Sequence, residues 1–178
     1  MPAIKVKDQQ GNDFVMKRQN KMNWCWAAVS SSVVDFFDAH KHSVTTECSI
    51  ATHCLSKETG RQLSCCDDSQ PCNRDFRLDQ ALETTGHLNK VEAGTLTFAQ
   101  IQAEIEAGRP VGVRVEWMVE KTGHFLAITG YDSTPAHPEQ VLVDDPFYGP
   151  ARVPFDQFKE KYLGEGVWTH TYKVKGTE

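Results

Sequence analysis

The 178-residue sequence predicts an α+β fold of two lobes, helices first and an antiparallel sheet second. Three observations predict it. Apolar residues recur at helical spacing through residues 25–37 and again after Thr97. From Val111 onward the period falls to two, in short runs broken by Gly, Asp and Pro. Nothing repeats, so helices and strands are segregated along the chain, which leaves a cleft between the lobes.

With 39% hydrophobic and 24% charged residues the chain suffices for one core-forming domain, 1–178. Residues 17–108 form its helical lobe, and 1–16 with 109–178 its β lobe. A net charge of −5 and no basic run exclude a nucleic-acid footprint. The apolar stretches fall far short of the ~20 residues that span a bilayer, so no membrane partner is expected. The start, Met1-Pro2-Ala3-Ile4-Lys5-Val6-Lys7, has no apolar core of a Sec-type signal. The protein is therefore expected to stay in the cytoplasm, to be secreted by another route, or to have lost a leader.

Residues 4–16 alternate weakly around Gln10-Gly11-Asn12-Asp13, predicting a short hairpin or edge strand. After the polar loop 19–24, Val29, Val33, Phe36 and Phe37 share one helical face, with Asn23 as the expected N-cap and Cys25 in the first turn. Residues 40–74 show no sustained period and predict irregular structure with short helices. Residues 75–85 read as helix ending at Gly86. Thr97 and Gln100 form a capping box for a helix through Ile101 and Ile105, stopped by Gly108 and Pro110. Strands follow at Val111–Trp117, His124–Thr129, Gln140–Val143 and Val167–Val174, with a short helix at Phe155–Tyr162.

The six cysteines are unevenly spread. Cys25 stands alone between two tryptophans, while Cys48, Cys54, Cys65, Cys66 and Cys72 crowd together. The five admit two disulfides, reduced thiols, or zinc with His53, although no Cys-x-x-Cys pair supports a zinc ribbon. If they pair, Cys48 and Cys54 reach into the Cys65–Cys72 group; the connectivity stays open. No cofactor and no metal are expected.

Cys25 needs its own explanation. A helix start stabilises a thiolate through its unpaired N–H groups and dipole. Such a nucleophile also needs a base, a group to orient the base, and oxyanion donors. His124 opens an apolar strand after Gly123, where the chain leaves room for a ligand. Asp145 ends the next strand, at a tip made by Pro146, so adjacent antiparallel strands can set it beside His124. Asp144 competes, but consecutive strand residues face opposite ways. Gln19 can return over the helix start and present its amide with the Cys25 N–H. Trp24 is a candidate cleft residue and Trp26 a core residue.

These residues carry a resemblance. Gln19…Asn23-Trp24-Cys25-Trp26-Ala27-Ala28, Gly123-His124-Phe125-Leu126-Ala127-Ile128-Thr129-Gly130-Tyr131-Asp132 and Val143-Asp144-Asp145-Pro146-Phe147 resemble the papain-like cysteine peptidases. The closer likeness is to a small bacterial branch of AvrRpt2-type effectors and C39-like peptidases. Cys65-Cys66, Cys72-Asn73, Gly108-Arg109-Pro110-Val111 and Gly166-Val167-Trp168 extend it over most of the chain. Papain itself has Gly-Ser before its Cys-Trp, and Asn-Ser-Trp in place of Asp-Asp-Pro.

The resemblance implies a papain-like two-lobe fold with Cys25 as nucleophile, His124 as general base and acid, Asp145 as orienter and Gln19 as oxyanion donor. Trp24 and Gly123 are the substrate-binding candidates. The implied activity is that of a cysteine endopeptidase working through a thioester, as a secreted bacterial effector or toxin. The partners implied are a protein or peptide substrate and an inhibitor, immunity protein or host activating factor. The alternatives are a deamidase or transglutaminase-like acyltransferase with the same triad, or a silent binding module on a peptidase scaffold.

Overall fold

A computed structural model of the chain describes residues 3–38 and 45–177. The elements run β1 (Ile4–Lys5), α1 (Cys25–Asp38), α2 (Glu47–Thr59), a 3-10 turn at Gln70–Cys72, α3 (Leu78–Thr84), β2 (Leu88–Ala93), α4 (Phe98–Glu106), β3 (Val111–Trp117), β4 (Thr122–Asp132), β5 (Gln140–Asp145), β6 (Gly149–Pro154), α5 (Phe155–Lys161) and β7 (Gly166–Val174). The class is α+β, as the change of period at Val111 predicts.

One antiparallel sheet in the order β2-β7-β3-β4-β5-β6 forms the β side, and β1 pairs with β4. β3 is buried at Val111, Val113 and Val115, the alternation of a strand with one face on a core. Residues 88–106, expected in the helical lobe, instead supply β2 to the sheet and α4, which packs against β3 and β4. The helical lobe therefore ends near α3. In Leu88-Asn89-Lys90-Val91-Glu92-Ala93 no residue is fully buried, so the strand leaves little period-two signal.

α1 lies between the lobes, against α2 and α3 on one side and β4 on the other. It is buried almost all round, including Ser30, Ser31 and Ser32. Each serine hydroxyl returns to a carbonyl one turn earlier: Ser30 to Trp26 at 2.8 Å, Ser31 to Ala28 at 3.1 Å and Ser32 to Ala28 at 2.7 Å. An unpaired hydroxyl there would cost about 1–3 kcal/mol. The Ser32 oxygen also accepts from the Lys17 N–H at 2.8 Å, which anchors the loop leading to Cys25.

The expected irregular stretch holds a full helix, α2. Its buried positions Glu47, Ile50, Ala51, Cys54 and Leu55 follow helical spacing, but one of the five is Glu, which hides the period. Disulfide Cys48–Cys66 ties α2 to the loop before α3, and Cys65–Cys72 closes that loop on itself. Cys54 does not pair; it is a free thiol inside a second core with Trp24, Trp26, Ile50 and Leu55. Burial pushes its pKa up to about 11. His40 and His42 lie outside the described residues. No helix is long and apolar enough to cross a membrane among the described residues.

Candidate active site

Cys25 is the first residue of α1, 8% exposed, with its N–H among the free donors of the first turn. Asn23 does not cap this helix. Its N–H donates to Asn73 Oδ1 at 3.2 Å and its Nδ2 to the Asn73 carbonyl at 3.1 Å. Trp24 Nε1 donates to the Cys72 carbonyl at 2.7 Å, and Trp26 Nε1 to the Arg74 carbonyl at 3.0 Å. Segment 72–74 therefore grips the residues on both sides of Cys25, and the Cys65–Cys72 disulfide holds that segment.

His124 sits near the start of β4, where the hairpin with β3 opens, opposite Val115. Its Nε2 lies 2.9 Å from Asp145 Oδ1, so Nδ1 is the nitrogen left for the Cys25 thiol, the other group that acts on the ring. Burial works against the imidazolium, but the bonds to Asp145 and Cys25 outweigh it and raise the His124 pKa to about 9. The ring is stacked on Trp117, with Tyr148 edge-on.

Asp145 ends β5 and is 3% exposed. Its Oδ1 also accepts from the Phe147 and Tyr148 N–H groups at 2.8 and 2.9 Å, and its Oδ2 from the Tyr162 hydroxyl at 3.1 Å. Burial opposes its charge, but His124 and the Phe147 and Tyr148 N–H groups hold the carboxyl below its usual range. Asp144 faces the other way, accepting from Thr129 at 2.8 Å, and burial raises its pKa. Of the two acidic residues, Asp145 is the one that meets His124.

Gln19 lines the same cleft as Cys25 and His124. Its N–H donates to the Pro146 carbonyl at 2.9 Å, and its Nε2 to the carbonyls of Lys21 and Met22 at 2.9 and 2.8 Å. Its Oε1 is buried without a hydrogen-bond partner among the described residues. The neighbouring Asn20 is held by Glu47, whose oxygens take both the Asn20 N–H and its Nδ2. Burial raises the Glu47 pKa despite these bonds.

These groups open on a cleft of about 1110 Å³ between α1, the α3 approach and the sheet. Gly123 is in its wall. A Cβ there would lie 2.7 Å from Arg114 Nε, so only glycine leaves the guanidinium its place. No group of three or more His, Cys, Asp or Glu among the described residues is placed to hold a metal.

A family model described as the Peptidase_C39 like family matches residues 11–175. The chain belongs to that family. The C39-like chain has the papain-like fold and is a cysteine peptidase by family and architecture. Xylellain, a cysteine protease from Xylella fastidiosa, aligns over 100% of this chain and 87% of its own, with a TM-score of 0.59 at 10% identity. A double-glycine motif protease from an AMS/PCAT transporter, in complex with its leader peptide, aligns over 98% of this chain and 100% of its own, with a TM-score of 0.52 at 12% identity. At such identities these structures speak to the fold alone. A search of curated proteins found no sequence match.

The C39-like chain corrects one site expectation. Trp24 is 2% exposed and lies in the core behind Cys25, outside the cleft, whereas Trp26 reaches the cleft wall from the same core. The two side chains lie two residues apart across the first helical turn, so they leave the helix in different directions. Sequence reasoning missed Tyr162 and Glu47, and met Asn73 only within the Cys72-Asn73 pair of the resemblance. Nothing local marks them, because each acts through a partner at least 17 residues away. Asp145-Pro146 also makes a turn, with the carboxylate taking the N–H two residues on.

Proposed function

We propose that this C39-like chain is an endopeptidase that cuts protein or peptide substrates through Cys25, His124, Asp145 and Gln19. The observation that carries the reading is that one buried imidazole contacts both Asp145 and the thiol at a helix start, inside a cleft large enough for an extended peptide.

In the mechanism, the thiol proton resides on His124 and Cys25 Sγ attacks the scissile carbonyl. The oxyanion is received by the Cys25 N–H and by Gln19 Nε2, which turns one proton away from the Met22 or Lys21 carbonyl. His124 protonates the leaving amine as the tetrahedral intermediate collapses to a thioester. Water then attacks the thioester carbon, its proton passes to His124, and the product acid leaves as the thiol is restored. Asp145 keeps the ring oriented and supports its charge; Gly123 leaves the wall open beside it. The leader peptide bound by the AMS/PCAT protease supports a peptide as the ligand class.

The role we propose is that of a secreted bacterial effector or toxin. Two disulfides in a chain of this size suit an oxidising compartment better than the cytoplasm. An inhibitor, immunity protein or host factor would control access to the same cleft.

The test is mass spectrometry of a proteome treated with the wild-type chain or with Cys25→Ala. New N-termini made only by the wild type support peptide-bond hydrolysis. Glutamine deamidation or crosslinking with ammonia release, and no new termini, would replace it with the acyltransferase reading.

A further inference from the structure

The sheet wall of the cleft carries a cation with an unused face. Arg114, in the middle of β3, is 24% exposed. Its Nη1 is anchored, donating to Thr169 Oγ1 at 2.8 Å and to Glu116 Oε2 at 3.3 Å. Nε and Nη2 have no hydrogen-bond partner among the described residues. They are the two atoms closest to the place of the absent Gly123 side chain, at 2.7 and 2.8 Å. The Nε–H and Nη2–H bonds lie on one edge of a guanidinium, the edge that takes a carboxylate with two parallel hydrogen bonds.

The surroundings favour an anion at that edge. Lys121, also in the cleft and exposed, has no ion pair among the described residues, so Thr122-Gly123 is flanked by two cations. A third basic side chain of the cleft, Arg77, is paired with Asp79 at 2.5 Å, whereas Arg114 meets its own acidic partner, Glu116, through Nη1 alone. Two of the cleft's acidic residues, Glu58 and Asp75, belong to the opposite lobe, and Glu58 is paired with Arg74 at 2.7 Å. Phe125 and Tyr172 form an apolar wall, ring centroids 5.8 Å apart, which lowers the local dielectric and strengthens a charge pair. Arg114 and Gly123 line the same cleft as Cys25 and His124, so a carboxylate held here belongs to a substrate lying in that cleft.

We infer that the cleft selects peptides bearing a carboxylate near the scissile bond, and that Arg114 is the residue that reads it. The inference rests on the endopeptidase reading. The carboxylate comes from an Asp or Glu side chain or from a nearby chain terminus, and free and amidated peptides separate the two sources.

The probe is a proteome-derived peptide library, prepared with free and with amidated C-termini, digested with the wild type, Arg114→Gln and Arg114→Glu. Thermal unfolding of all three checks the fold. Asp and Glu should be enriched at one position near the cut, and matched Glu and Gln peptides should differ about tenfold in kcat/KM. Arg114→Gln should erase that ratio, and Arg114→Glu should turn it toward Lys. Enrichment that persists after amidation assigns the side chain; enrichment confined to free C-termini assigns the terminus. Cleavage without acidic enrichment, or a ratio unchanged in a folded Arg114→Gln, overturns the inference and leaves the endopeptidase standing. Cleavage of no peptide overturns both.

Discussion

The Gln19 N–H donates to the Pro146 carbonyl at 2.9 Å, so the loop before the nucleophile is joined to the turn that follows Asp145. Residues far apart in the chain and on opposite sides of the cleft thereby share one piece of backbone. The Gln19 Nε2 rests on the Lys21 and Met22 carbonyls, and turning one of its protons toward the substrate is the step that makes it an oxyanion donor. Gln19→Ala should lower kcat roughly 100- to 1000-fold, the usual loss for one oxyanion donor, with little change in KM. A peptide assay of both constants checks it; a loss confined to KM would remove Gln19 from the transition state.

His124 sets the alkaline limit. Its folded pKa of about 9 depends on the bonds to Asp145 and Cys25, which overcome the burial of the ring. Activity should decline above about pH 9, and Asp145→Asn should move that limb to lower pH. Stability follows the same sign. The folded chain holds this proton more tightly than the unfolded one, whose histidine titrates near 6.5. The stabilisation is full below pH 6.5 and lost as pH rises through 9. Thermal unfolding between pH 6 and 10 should show that loss, and Asp145→Asn should flatten it.

Two free cysteines should respond differently to alkylation. Cys25 has the helix start and His124, while Cys54 is sealed in a core with its pKa at about 11. Iodoacetamide at mildly acidic pH should label Cys25 far ahead of Cys54, measured by peptide mass spectrometry, and His124→Ala should slow the labelling of Cys25 while leaving Cys54 unchanged. Equal labelling in the wild type would contradict an activated thiol.

The disulfides should matter unequally. Cys48–Cys66 spans 18 residues, for which loop closure suggests about 3 kcal/mol of stability. Cys65–Cys72 spans only 7, but it holds the segment that grips Asn23, Trp24 and Trp26. Removing Cys48–Cys66 with paired Ser substitutions should lower Tm more than kcat. Removing Cys65–Cys72 in the same way should lower kcat more than its share of Tm.

Glu47 should act through Asn20. Glu47→Ala frees the loop that carries Gln19 and should lower kcat, whereas Glu47→Gln, which keeps one acceptor, should restore part of it. If Glu47 is purely a packing residue, both variants will change Tm alone.

What could be read from the chain in advance depended on whether neighbours in sequence carried the signal. Thr97 and Gln100 make the expected capping box at the start of α4, because both partners lie within one turn. β3 announced itself by alternation, and β4 and β5 by short apolar runs closed by Gly130 and by Asp144-Asp145-Pro146. α2 did not, since Glu47 occupies a buried position that a hydrophobic count passes over. β6 was also missed: Gly149-Pro150-Ala151-Arg152-Val153-Pro154 has a proline at each end and buries only Val153. At the site, the distinct environments of Cys25, His124 and Asp145 were local and visible. Trp24 was not, because whether a tryptophan beside the nucleophile faces cleft or core depends on the Cys72 carbonyl, 48 residues on.

β1 lies beside β4 at Tyr131, seven residues along that strand from His124. At about 3.3 Å per residue the two points are roughly 23 Å apart. A reporter, affinity handle or second protein fused ahead of Ile4 would emerge at the far end of the sheet. The chain can therefore be tethered to a surface by its front end with the cleft turned outward, which makes immobilised capture of its substrates practical.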